Sequence, residues 1–233
     1  MDKPFFSIVI PTYEMNGCGT KFLEESFIKL FEQTFKDFEV IVSDHSKDDL
    51  IEKFSEKWLD KLDIKYYKNT NNIGSSSGNL NNGIDKSVGY WVKILFQDDF
   101  LYNEKSLEIL KLNIEKNGDK KWFVSACEHT NDGINFYRPF YPIWNNLIHL
   151  GYNTISSPSV LTFKNGEKNY FDNDLIWLMD VEFYKKMYDK YGLPFFIQNI
   201  LVVNRTWQNS VSNTLSEEIK NNEIKLMELK YGK

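Results

Sequence analysis

The 233-residue chain is poor in the residues that most often announce chemistry. It has three histidines, His45, His129 and His149, and none forms an HxH or HxxxH pair. Ordinary surface or hydrogen-bonded histidine is the plainer reading of each. Its two cysteines, Cys18 and Cys127, form no CxxC and no metal-type spacing, so a zinc ribbon and a dithiol redox centre are excluded. A reducing cytosol suits them better than a disulfide. No GK[ST] or GxGxxG follows a strand, which removes the P-loop and the dinucleotide fingerprint. Basic residues are in deficit, 28 Lys and Arg against 33 Asp and Glu, and a net charge of −5 argues against nucleic acid as a partner. It leaves phosphate ligands open, because a metal ion and helix N-termini hold anions without net basicity. No run approaches the roughly 18 apolar residues of a membrane span. The opening "MDKPFFSIVIP" lacks a cationic lead and a small-residue cleavage site, so it reads as a first strand rather than a signal peptide. The expected setting is cytoplasmic.

What is present is a core: 42% of residues are hydrophobic and 16% aromatic. Strand-like and helix-like patterns alternate through the first half. "FFSIVI" (5–10), "FEVIVS" (38–43), "DIKYYKN" (63–69) and "YWVKILF" (90–96) read as strands. Between them, Leu23, Phe27, Leu30 and Phe31 recur at helical spacing. Ser46 with Asp49 forms a capping box before Leu50, Phe54 and Trp58, and Leu80, Ile84 and Val88 mark a third helix. Ser106 to about Glu115 is a fourth. Later come strands at 122–127, 159–163 and 195–203, a helix over 179–192 and a final helix over about 215–230. Residues 128–160, rich in aromatics and Asn, read as a long functional loop. No repeat or linker divides the chain, and one domain is expected over 1–233. The expected class is α/β, a mostly parallel central sheet flanked by helices.

In such sheets the ligand crevice lies beyond the carboxyl ends of the strands. Four strand ends deliver polar groups there: Thr12, Tyr13 and Glu14; Asp44; Asn72; and the adjacent Asp98 and Asp99. Two carboxylates ending an apolar strand suggest a divided task, one ligand for Mg2+ or Mn2+ and one acceptor for a ligand hydroxyl. A solvated turn is the alternative. The loop "NNIGSSSGN" before a helix presents N–H groups suited to phosphate. Asp180 opens a helix, where it either complements the helix dipole or serves as a general base. Trp177 beside it is core or a stacking platform.

"FFSIVIPTYEMN", "FEVIVSDHSKDD", "NNIGSSSGN", "GYWVKILFQDD" and "WLMDVEFYKKM" occur in the order and spacing of family 2 glycosyltransferases, which the chain resembles closely over 5–100 and more loosely over 155–212. The resemblance implies a GT-A, Rossmann-like nucleotide-binding fold. Residues 1–100 would form its nucleotide-sugar half and 101–233 its acceptor half. It implies donor-nucleotide contacts from Pro11, Thr12, Tyr13, Glu14, Asp44, Asn72, Gly74, Asn79 and Asp98. It implies Asp99 as the ligand of Mn2+ or Mg2+ and Asp180 as catalytic base. Trp177, Arg205, Trp207, Ser210 and Ser212 become candidates for acceptor or diphosphate contacts. Phe96, Met179 and Trp207 depart from the family pattern, which often has Asp, Glu and His there. The implied activity is inverting, metal-dependent transfer from a nucleotide sugar, UDP-sugar first, to a hydroxyl of a glycan or lipid-linked saccharide, as in polysaccharide biosynthesis. A sugar nucleotidyltransferase and a catalytically degenerate nucleotide-sugar-binding module are the alternatives. The last helix, with Leu215, Ile219, Leu226 and Leu229 among Lys and Glu, offers a peripheral contact to the inner face of a membrane, though its mixed charges favour packing on the domain.

Overall fold

A computed structural model describes residues 3–167, 169–207 and 214–232. The first half forms as the alternation predicts. Strands β1 (Phe6–Thr12), β2 (Phe38–Asp44), β3 (Ile64–Lys68) and β4 (Trp91–Ile94) lie parallel in the order β3-β2-β1-β4. Every residue of β1 and β2 is buried, as near-continuous apolar strands covered on both faces must be. Helices α1 (Gly19–Phe31), α2 (Leu50–Glu56) and α3 (Ser76–Lys86) are the crossovers. Gly83 lets α3 sit close on β1, since a Cβ there would meet Val9 Cγ1 at 2.5 Å.

Two local expectations fail. Ser46 does not cap α2, because Asp44 takes both its N–H (2.9 Å) and its hydroxyl (2.6 Å), and the helix starts at Leu50 with Asp49 at the N-cap position. Consequently Leu50 is 56% exposed and Ile51 is buried in its stead.

Beyond β4 the sheet is less parallel than expected. A two-residue β5 (Phe100–Leu101) and helix α4 (Ser106–Lys116) precede the long β6 (Trp122–Thr130). Then come β7 (Phe136–Phe140), β8 (Leu161–Lys164), α5 (Met179–Tyr191), β9 (Phe195–Arg205) and α6 (Glu217–Tyr231). β8 inserts antiparallel between β4 and β6, and β7 and β5 pair antiparallel with β6 and β9. Among the described residues of this half, only the β6–β9 pair is parallel. The sheet order is β3-β2-β1-β4-β8-β6-β9-β5, with β7 on β6. The expected loop over 128–160 therefore contains the end of β6, all of β7 and short 3-10 turns at Ile148–Leu150 and Pro158–Val160.

α6 also packs otherwise than its apolar pattern predicts. Leu229 is 85% exposed, while Glu223 and Met227 are buried. No helix among the described residues is long and apolar enough to cross a membrane.

Candidate active site

A cleft of about 330 Å³ opens at the carboxyl ends of β1, β2 and β4. Pro11, Thr12, Tyr13 and Glu14 follow β1 along one wall, and Gly74, Ser75, Ser76 and Asn79 bring the N-terminus of α3 to another. Phe96, Gln97 and Asp98 form its third side. Side-chain amides join these walls. Asn79 donates to the Thr12 carbonyl (3.0 Å) and accepts from the Ser43 hydroxyl (2.7 Å). Gln97 accepts the Tyr13 N–H (2.9 Å) and donates to the Gly19 carbonyl (2.8 Å). Ser75 caps α3 by accepting the Gly78 N–H (3.1 Å), which leaves the first turn facing the cleft.

Three of the residues expected to hold the donor nucleotide or the metal stand elsewhere. Asp44 is fully buried and held from within, by Ser46, the Tyr66 hydroxyl (2.7 Å), the Lys68 ammonium (3.1 Å) and Thr12 (3.3 Å). It braces the end of β2 and is not among the residues that line the cleft. His45, its neighbour, lines the cleft instead, and burial lowers its pKa so that the ring is neutral near pH 7. Asn72 adopts a left-handed backbone (φ 52°) and packs over Gly78, where any Cβ would lie 2.7 Å from its own.

Asp99 is the third. The N–H of Asp99 bonds the Phe96 carbonyl (3.0 Å), closing a tight turn over 96–99. Asp98 projects from this turn into the cleft, whereas Asp99 turns back into the body at 4% exposure. Asp99 accepts the Arg205 N–H (2.8 Å) and the Ser157 hydroxyl (3.3 Å), and its carbonyl accepts from Ser26 (2.5 Å). Burial raises both carboxyls, and the adjacent Asp98 charge raises that of Asp99 further.

Around Asp98, Trp207 donates its indole N–H to Oδ2 (3.2 Å) and sets its ring edge on Phe22. Arg205 is spent internally: its guanidinium pairs with Glu25 and lies over Phe22, and Nε reaches the Asp98 carbonyl (3.2 Å). Trp177 lies off the cleft under the Lys220 ammonium. Ser210 and Ser212 lie outside the described residues.

Asp180 stands in the first turn of α5, whose start meets α3 through the Ser77 hydroxyl, bonded to the Leu175 carbonyl (3.1 Å). Burial pushes the Asp180 carboxyl up to about 7. A polar seam joins it to the acidic turn. Asn153 donates to Asp180 Oδ2 (2.6 Å) and to the Ser156 carbonyl (3.1 Å). Asn204 donates to the Ser156 hydroxyl (2.8 Å), and Ser157 bridges Asn204 (3.2 Å) and Asp99. Ser156 holds a left-handed φ of 95°, a strain that this seam over-determines. Asn153, Ser156 and Asn204 escaped the sequence reading because only the folded chain brings their segments together.

Among the described residues no three His, Cys, Asp or Glu side chains form a ready-made metal cage. The cleft still suits a hard divalent cation in a lesser way. Such ions bind through one or two carboxylates plus substrate phosphates. Asp98 offers Oδ1, which no side chain among the described residues caps.

The model for "Glycosyl transferase family 2" matches residues 7–209. This chain belongs to glycosyl transferase family 2. An uncharacterized glycosyltransferase of Rickettsia typhi is 25% identical over 235 residues, covering 94% of this chain and 69% of that protein. The Campylobacter jejuni GalNAc(5)-diNAcBac-PP-undecaprenol beta-1,3-glucosyltransferase is 36% identical over 99 residues, 42% of this chain and 31% of that one. Among solved structures, S. aureus TarS 1–349 in complex with UDP-GlcNAc superposes with a TM-score of 0.75 at 18% identity, covering 96% of this chain and 65% of that chain. The mannosyltransferase PcManGT of Pyrobaculum calidifontis, in complex with GDP-Man and Mn2+, gives 0.64 at 16%, covering 90% and 59%. The family 2 chain thus has the GT-A fold, with its antiparallel half included.

Proposed function

We propose that the protein is an inverting glycosyltransferase that takes a sugar from a nucleotide donor to an acceptor hydroxyl. The observation that carries the reading is the pairing of two carboxylates: Asp98 on the cleft floor, and Asp180 on α5, tied to the same turn through Asn153, Ser156, Asn204 and Ser157. The cleft has room for a nucleoside, with Tyr13, His45 and Asn79 around it. UDP-sugars are the donors to try first.

In this reading the metal passes from Asp99 to its neighbour. Asp98, not Asp99, meets the metal and diphosphate, and Asp99 holds the turn against β9. Mn2+ or Mg2+ on Asp98 and the donor phosphates would offset the charge of the departing diphosphate. Asp180 takes the proton of the acceptor hydroxyl as that oxygen bonds the anomeric carbon, and the carbon–oxygen bond to the diphosphate breaks on the opposite face. A carboxyl raised to about 7 suits this step, because proton transfer is most effective with a pKa near the working pH. Acceptor choice falls to residues 128–160, with the exposed Tyr137 and Tyr141 as stacking surfaces, whereas Trp144 is stacked on Tyr188 at 4.2 Å.

A degenerate donor-binding module remains the second reading, favoured by Trp207 occupying one oxygen of Asp98. Nucleoside diphosphate release from a panel of UDP- and GDP-sugars with Mn2+, in wild type and Asp180→Asn, separates the two. Turnover lost in Asp180→Asn, with donor binding kept, supports the transferase. Tight donor binding without transfer or hydrolysis for any acceptor offered supports the module.

A further inference from the structure

Glu223 is a buried carboxylate outside the cleft. It lies on α6, is 5% exposed, and accepts three consecutive backbone N–H groups: Ile176 (2.8 Å), Trp177 (2.9 Å) and Leu178 (2.8 Å). Those residues lead directly into α5, with Leu178 at its N-cap position. A helix N-terminus presents unpaired N–H groups and a positive field, both of which favour a carboxylate. Asp180 sits in that same first turn, with Oδ1 on the Val181 N–H (2.7 Å). Two carboxylates share one helix N-terminus, and Glu223 holds the N–H at its N-cap position and the two just before it.

We propose that Glu223 is a positioning residue for Asp180. By neutralising the N-terminal field of α5 and fixing residues 176–178, it keeps Asp180 a base rather than a helix-stabilised carboxylate. The inference rests on reading Asp180 as the base.

The other groups around Asp180 do not substitute for it. On its own helix, Tyr184 donates to the Ser156 carbonyl (3.1 Å), and Glu182 turns away to Lys186, Lys230 and Tyr231. From the loop, Asn153 donates to Asp180 and pulls its carboxyl down. From the Ile148–Leu150 turn, His149 faces the Tyr231 ring (6.0 Å between centroids). On α6, Lys220 pairs with Glu217 and covers Trp177. After burial itself, Glu223 is the charge that raises Asp180.

The test is a carboxyl-carbon NMR titration of Asp180, assigned by comparison with Asp180→Asn, in wild type and Glu223→Gln. It is run beside the pH profile of UDP release from UDP-GlcNAc with Mn2+. Glu223→Gln should move the Asp180 titration, and the acidic limb of turnover, down by roughly half to one pH unit. KM for the donor should hold. An unmoved titration overturns the inference. If Asp180→Asn leaves turnover intact, the base reading falls and this inference falls with it. If Asp180→Asn is inactive while the Glu223→Gln titration stays put, only the role of Glu223 falls. Should Glu223→Gln not fold, Glu223→Asp serves, because its shorter side chain draws the charge back. A partial downward shift then supports the proposal, and no shift overturns it.

Discussion

Replacing Asp180 by Asn should inactivate the protein and stabilise it in a pH-dependent way. Burial sets the Asp180 carboxyl at about 7 in the folded protein. In the unfolded chain it titrates near ~3.9. Between those values the folded state binds more protons than the unfolded state, so stability falls as pH rises and levels off above the folded value. The shift of ~3 units is worth at most ~4 kcal/mol at ~1.4 kcal/mol per unit, and about half of that is reasonable for a half-buried group. Asn does not titrate, so the variant escapes this cost. Its amide oxygen still accepts the Val181 N–H, but its NH2 replaces the acceptor for the Asn153 amide, a loss of ~1 kcal/mol at every pH. A double difference cancels that constant: the melting temperature of Asp180→Asn minus wild type, taken at pH 8 and again near pH 4.5. Carboxyls common to both proteins, Asp98 and Asp99 included, cancel as well. For a chain of this size ~2 kcal/mol corresponds to roughly 4–8 °C, so the difference should be that much larger at pH 8. Calorimetric scans at both pH values measure it. A flat difference, or one falling with pH, would refute the claim that burial holds Asp180 basic.

Two further outcomes follow from the placement of the other acids. The added thermal shift given by UDP with Mn2+ over UDP alone should vanish in Asp98→Ala. It should persist in Asp99→Asn; the reverse pattern would return the metal to Asp99. Asp44→Ala strands the Tyr66 hydroxyl and the Ser46 N–H in a closed site and should cost roughly 2–4 kcal/mol in urea unfolding, whereas Lys68→Ala, which removes a half-exposed partner, should cost under about 1 kcal/mol.

The parallel half of the fold was legible because its signals are local. An all-apolar strand such as Ile8–Ile10, covered on both faces, spells its own burial, and the helices between obey a period of 3.6. The second half was less so, since strand direction leaves no mark on alternation. β8 between β4 and β6 reads no differently parallel or antiparallel. β7, Phe136–Phe140, was hidden because it is an exposed edge strand, with four of its five residues open to solvent. On α6 the apolar stripe pointed at Leu226 and Leu229, while docking is led by a carboxylate. Glu223 is buried because three N–H groups at the start of α5 compensate it, and no pattern within α6 encodes that partner.

The acidic pair shows the same boundary at the scale of one turn. Sequence reasoning located both carboxylates at a strand end and gave both ligand-facing tasks, the donor nucleotide to Asp98 and the metal to Asp99, whereas only Asp98 lines the cleft. A period of two decides which face a residue takes only while the strand continues. β4 ends at Ile94, and the Asp99 N–H to Phe96 carbonyl bond closes a turn. In a turn of four residues the third projects and the fourth returns to the body, which sends Asp98 into the cleft and Asp99 toward Arg205 and Ser157. Phe96 fits the same geometry. As the first turn residue it lines the cleft while its N–H is held by the Ser159 hydroxyl (2.9 Å), so a missing carboxylate at 96 removes an oxygen from the cleft rather than from the core. The metal affinity of this site should therefore lean on Asp98 and the donor phosphates together, and binding of Mn2+ without nucleotide should be weak.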